Sequence, residues 1–210
     1  LRVRLASVLE VIYLVFNEGY AASEGNDAMR PDLCAEALRV GRTLAALVPQ
    51  ESEVQGLLAL MEIQASRTAA RRGADGRPVL LADQDRSRWD AGHIARGLQA
   101  LARAEALCGP DRMLGPYALQ AAIAACHARA ARSEETDWAW IVALYDALAQ
   151  LAPSPVVELN RAMAVSMAYG PAAALELVDA LGAEPALARY PWLPAARGDL
   201  LARLGRHDEA

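Results

Sequence analysis

Residues 144–181 read LYDALAQLAPSPVVELNRAMAVSMAYGPAAALELVDAL, and the breaks inside this stretch decide the fold. Pro153 and Pro155 interrupt one apolar run and the Gly170-Pro171 pair interrupts the next, leaving segments of helix length between them. Proline lacks a backbone donor and fits the first turn of a helix, whereas glycine readily takes the left-handed conformation that closes the last turn. The punctuation therefore predicts successive helices, each folding back on the one before. A related ending, ARGDLLARLGRHDEA at 196–210, places Gly205 35 residues after Gly170.

That interval is close to the period of about 34 residues of tetratricopeptide repeats. One helix pair of this kind cannot bury its own apolar face, so the pairs stack and leave a concave groove. The expected fold class is all-α, with antiparallel helical hairpins stacked as a tetratricopeptide-like right-handed solenoid or bundle. Residues 137–210 are assigned to the repeats and 1–136 to an N-terminal helical region, the two packed as one continuous helical unit.

Upstream, the spacing of Leu5, Val8, Ile12 and Val15 predicts a first helix, widened by Leu9, Tyr13 and Phe16 so that it is buried on most sides and closed by a left-handed Gly19. A second helix is expected from Pro31 to Val48 and a third from Glu51 to Arg72, ended by the turn residues of GADGRP. The VLLA segment after that turn reads as an ordered loop, with Leu80 and Leu81 packed onto helices. A fourth helix is expected from Ser87 to Cys108, with Ile94, Leu98, Leu101 and Cys108 facing inward. Further helices follow in GPYALQAAIAACHARAAR and DWAWIVALYDALAQL. No segment carries the alternating pattern of a strand run.

Composition narrows the function classes. With 210 residues, 54% of them apolar, the chain buries a substantial core. Every fixed side-chain cation is arginine, and the net charge of −5 is opposite to the broad basic surface that nucleic-acid binding needs, so no direct nucleic-acid contact is expected. Cys34, Cys108 and Cys126 lack paired spacing and read as reduced thiols of a cytoplasmic protein. VIYLVF at 11–16 is too short to span a bilayer, which takes about 20 residues, so no membrane contact is expected either. The first residue is Leu1 and the last residues resemble a helix start, so the chain is expected to be part of a longer protein.

The densest charge lies in ADQDRSRWD at 82–90. Ser87 followed by Asp90 resembles a capping box, and Asp83 and Asp85 favour the positive end of the helix they precede. Trp89 then points inward from the first turn. Arg67 and Arg71, four apart on the preceding helix, are placed to bridge back to Asp83 or Asp85. The candidate motif, structural or interacting, is thus Arg67, Arg71, Asp83, Asp85, Arg86 and Trp89. An acid-catalytic carboxylate would need a raised pKa, and neighbouring arginines act in the opposite direction. His93, His127 and His207 show no metal-ligand spacing, and no phosphate loop or nucleophile elbow occurs. Neither catalytic residues, nor a metal, nor a cofactor are expected. Trp138 and Trp140, two apart on a helix, face different directions, so one is expected to be available to a partner.

The ordered series VLEVIYLVFNEGY, PQESEVQGLLALMEIQASRTAAR, LADQDRSRWD, GPYALQAAIAACHA, TDWAWIVALYDAL and SPVVELNRAMAV resembles the C-terminal extension of a subgroup of bacterial extracytoplasmic-function sigma factors. The resemblance covers essentially the whole chain. It implies a tetratricopeptide-like, non-catalytic module that supports or modulates sigma-dependent transcription initiation through protein contacts. The partners it implies are the sigma N-terminal regions, core RNA polymerase or a regulatory protein. DQDRSRW is a hallmark of that resemblance, which assigns it neither to folding nor to contact. Two other readings stand beside it: an unrelated tetratricopeptide-type scaffold, and a small-molecule enzyme with a pocket near Asp85, Arg86 and Trp89.

Overall fold

The computed structural model describes residues 2–20, 30–109 and 113–210. Among these the chain forms nine α-helices: α1 (Arg2–Tyr20), α2 (Pro31–Leu47), α3 (Ser52–Ala65), α4 (Ala91–Cys108), α5 (Pro116–Arg129), α6 (Trp138–Leu151), α7 (Pro155–Tyr169), α8 (Pro171–Leu181) and α9 (Trp192–Arg203). No strand occurs among the described residues; one isolated bridge joins Arg72 to Pro78. The all-helical class holds, and among the described residues no helix is long and apolar enough to cross a membrane. The chain divides into two compact units, 1–136 and 137–210.

The first unit is built around α3, which packs against α1, α2, α4 and α5. The sequence SEVQGLLALMEIQA is apolar on nearly every side, and Val54, Leu57, Ala59, Leu60, Met61 and Ile63 are all buried. A helix of this composition is stable in water only when wrapped by others. Gly56 admits α5 closely: a Cβ there would lie 2.6 Å from the Ala118 nitrogen. In the first turn of α3, Glu53 accepts the Tyr117 and Ala118 backbone N–H groups at 3.0 and 3.1 Å. It thereby caps the start of α5, and its burial raises the carboxyl pKa against the lowering effect of those two bonds.

Several boundaries differ from the sequence expectation. In α1 the buried positions are Leu9, Ile12, Phe16 and Gly19, one stripe rather than most of the circumference, while Val11 and Leu14 are 59% and 60% exposed. Gly19 is not left-handed. It lies within the helix, where a Cβ would come 2.7 Å from the Cys34 nitrogen, so its smallness admits the first turn of α2. The third helix stops at Ala65 and continues as a separate 3-10 turn, Thr68–Ala70, well short of a single helix to Arg72. Leu80 is exposed rather than packed, whereas Leu81 is half-buried. The inner stripe of α4 runs through Gly97, Ala100, Leu101 and Ala104, with Ile94, Leu98 and Cys108 at its half-buried margins.

In the second unit each helix packs on the next, α6 on α7, α7 on α8 and α8 on α9. Ile141, Leu144, Leu159, Val165, Leu175, Val178, Leu200 and Leu201 fill the core. Asp137 caps α6 by accepting the Trp140 N–H at 2.9 Å, and Ser154 caps α7 through the Val156 N–H at 3.3 Å. Gly170 and Gly205 both have positive φ, 98° and 76°, the conformation their place at chain reversals requires. Arg161 to Asp146 at 2.6 Å ties α7 to α6, and Arg197 to Asp179 at 2.8 Å ties α9 to α8.

Candidate functional site

The segment 82–90 is not the first turn of α4 but a compact double turn preceding it. The 3-10 helix Leu81–Asp83 is followed by a second, Arg86–Arg88, and α4 begins at Ala91. Asp85 caps the second turn by accepting the Ser87 N–H at 3.0 Å and the Ser87 hydroxyl at 2.6 Å. Asp90 caps α4 by accepting the His93 N–H at 2.7 Å. The sequence pair Ser87 and Asp90 therefore belongs to two successive caps rather than to one capping box. Both carboxyls are held below the usual aspartate range, Asp85 first by the Ser87 hydroxyl and Asp90 first by the His93 amide. Arg88 enters only as the last influence on Asp85, so the hydroxyl, not an arginine, is what disfavours its acid form.

The arginines reach outward from these turns to backbone oxygens. Arg86 donates to the His127 and Ala130 carbonyls at 2.8 and 2.7 Å and to the Thr136 hydroxyl at 3.1 Å. These acceptors include carbonyls that the end of α5 leaves without intrahelical partners. Arg88 donates to the carbonyl of Ala69, within the 3-10 turn that follows α3. Burial lowers the Arg86 pKa, opposed by Glu134 and Glu135. The Asp90 N–H donates to Ser66 O at 2.9 Å, closing the chain onto the end of α3.

Trp89 is 6% exposed, and the Arg67 and Arg86 guanidinium carbons lie 5.3 and 5.1 Å from its ring centroid. The two cations gain from the negative ring face. Arg71 does not share this cluster: it lies over the Tyr20 ring at 3.8 Å and donates to the Tyr20 carbonyl at 2.5 Å. The sequence motif thus separates, with Arg67, Arg86 and Trp89 meeting, Asp85 serving as an exposed cap, and Asp83 closing the turn before it. Buried His127 lies near the same cations, and its pKa is lowered to about 4, chiefly by burial and then by Arg67 and Arg86. It is neutral at physiological pH.

One charged centre escaped the sequence reading. Glu62, 1% exposed in α3, accepts from Arg42 of α2 at 2.7 Å and from Arg96 of α4 at 3.2 Å, and lies 2.6 Å from His93 Nδ1. Its signal was an acid set in the apolar run LLALMEI of α3, which has to be paired when buried. Beside it, Arg88, Asp90 and His93 border a cavity of about 490 Å³ whose other walls include Tyr20, Cys34 and Leu38. Among the described residues no three His, Cys, Asp or Glu side chains gather as a metal site would. In the second unit Trp138 is half-buried and Trp140 is 54% exposed.

Residues 4–105 match the model of a family of unknown function (DUF6596), a span that contains the double turn and the Glu62 centre. The chain is 51% identical over 207 residues to the uncharacterized protein R00370 of Rhizobium meliloti (strain 1021). That alignment takes in 99% of this chain and 48% of the relative, so the chain spans about half the length of the curated relative it matches. No solved structure matches it.

Proposed function

We propose that this chain is the non-catalytic, regulatory helical module of a bacterial extracytoplasmic-function sigma factor, acting through protein contacts. The observation that carries this reading is the use made of its most conspicuous charges. Arg86 and Arg88 donate to backbone carbonyls, and Asp85 and Asp90 accept at caps, so the DQDRSRW segment fastens α3, α4 and α5 together. The sequence resemblance supplies the sigma context, and a relative about twice as long is what a module of a larger protein calls for. The helix-on-next-helix packing of α6–α9 supports a tetratricopeptide-like stack.

In this reading the second unit makes the contact. It exposes three aromatic side chains, Trp140, Tyr169 and Trp192, at 54%, 64% and 62%. Aromatic residues of this kind dominate protein interfaces. The partner is the sigma N-terminal regions, core RNA polymerase or a regulatory protein, and the acidic net charge of −5 keeps the module itself off DNA.

The test uses the full-length protein in transcription from its cognate promoter. Trp140→Ala and Trp192→Ala are expected to keep the melting temperature and lose most transcription. Full transcription by both variants, or by a protein lacking residues 137–210, would overturn the proposal.

A further inference from the structure

We propose that a groove above the middle of α3, walled by α2 and α4, binds a small phosphate-type dianion. The groove holds about 230 Å³, room for a phosphoryl group with little attached to it. Arg96, Gln99 and Arg103 follow one another at intervals of three and four along α4 and line one wall. That spacing puts them on a single face. Arg42 lines the opposite wall from α2, and Gln55 and Glu62 lie on α3 beneath.

Charge bookkeeping sets this groove apart from an ordinary buried ion pair. One carboxylate, Glu62, holds two arginines, Arg42 and Arg96, and has His93 as a third neighbour. Arg103 adds a further guanidinium, exposed and without an ion pair among the described residues. Three guanidinium charges against one carboxylate leave an excess of two positive charges in a chain whose net charge is −5. Glu62 fixes Arg42 and Arg96 through one oxygen each, which leaves donors on both half-exposed guanidinium groups directed elsewhere. Guanidinium forks match the oxygen geometry of phosphate and bind it bidentately.

A second observation points to the same occupant. Gln55 is 2% exposed and lines the groove; its amide nitrogen makes one long bond of 3.5 Å to the Ala45 carbonyl, and its Oε1 has no partner. A buried amide left half-satisfied is costly, and its free Oε1 calls for a donor. Because its Nε2 is held by the Ala45 carbonyl, Gln55 offers Oε1 as a floor acceptor for the P–OH of a hydrogenphosphate beneath the three arginines.

The experiment is isothermal titration of the purified protein with inorganic phosphate and, separately, with glycerol 3-phosphate, in a low-salt buffer free of other oxyanions. Saturable one-site binding is expected, weakened about tenfold or more in Arg103→Gln and several-fold in Gln99→Ala, with the melting temperature of each ligand-free variant unchanged. Tighter binding of phosphate marks the free ion as the ligand, and tighter binding of the ester marks a phosphorylated metabolite. No saturable binding at millimolar ligand, equal affinity in Arg103→Gln, or an equal response to sodium chloride of matched ionic strength would each overturn the proposal. Transcription plays no part in these readings, so the site and the sigma-module reading fail separately.

Discussion

Arg86 donates to the His127 carbonyl at 2.8 Å from a point 41 residues earlier in the chain. One side chain thus closes the end of α5 onto the turn that precedes α4. Arg86→Ala leaves the His127 and Ala130 carbonyls short of a donor, and the expected loss is about 2–3 kcal/mol in a urea or thermal unfolding measurement. Arg86→Lys restores a charge but not the fork, so it recovers only part of that loss. An unfolding midpoint unchanged by Arg86→Ala would contradict this role.

Trp89→Ala is the harsher change. It empties a site that is 6% exposed and removes the ring on which Arg67 and Arg86 rest. The expected cost is about 3–5 kcal/mol, read as a lowered melting temperature in circular dichroism. Trp89→Phe should retain most of the packing, because the Trp89 Nε1 is buried without a hydrogen-bond partner and contributes none.

The two aspartate caps are separable. Asp90→Ala removes the N-cap of an 18-residue helix and should lower the unfolding midpoint, whereas Asp90→Asn should change it little. Asp85→Ala removes the cap of a three-residue turn from an exposed position and should cost less than Asp90→Ala. The reverse order in chemical denaturation would show that the tryptophan-bearing turn, not α4, depends on its cap.

His127 gives the first unit a pH response. Its folded pKa, about 4, is depressed below the ordinary 6.5, so the unfolded chain takes up the proton first. The stabilisation from the neutral ring is complete above about pH 6.5 and is lost as pH falls toward 4, with an upper bound on the order of 3 kcal/mol. Glu53, whose pKa is raised by burial, acts in the opposite sense just above its ordinary value. Unfolding free energies of wild type and His127→Gln from pH 7 to 4.5 isolate the histidine, and parallel curves would refute its contribution.

The helices were legible wherever proline, glycine or an acid broke an apolar run, as at Pro31, Pro116, Pro155 and Gly170, because these residues act through their own backbone. The double turn was legible only as a concentration of charge. Ser87 and Asp90 both carry capping chemistry, and local sequence does not say which amide each will meet. The Glu62 centre was hidden for a different reason. Its partners stand 20, 31 and 34 residues away, and only the packing of α2 and α4 on α3 brings them together. Arg67 and Arg71 went astray because the helix expected to carry both ends at Ala65, which releases one toward Trp89 and the other toward Tyr20.

The placement of α3 governs how the first unit comes apart. Its faces are covered by segments before and after it in the chain, and its Glu53 completes a helix that starts more than 60 residues later, at Pro116. Removing α5 would strip Glu53 of its amides and bare a greasy cylinder to water, and removing α1 or α2 would uncover another side. Shortened versions of this unit should therefore precipitate rather than survive as smaller folded pieces. Along α6–α9, where each helix rests chiefly on its neighbour in sequence, the loss of one helix instead uncovers mainly the face of the next.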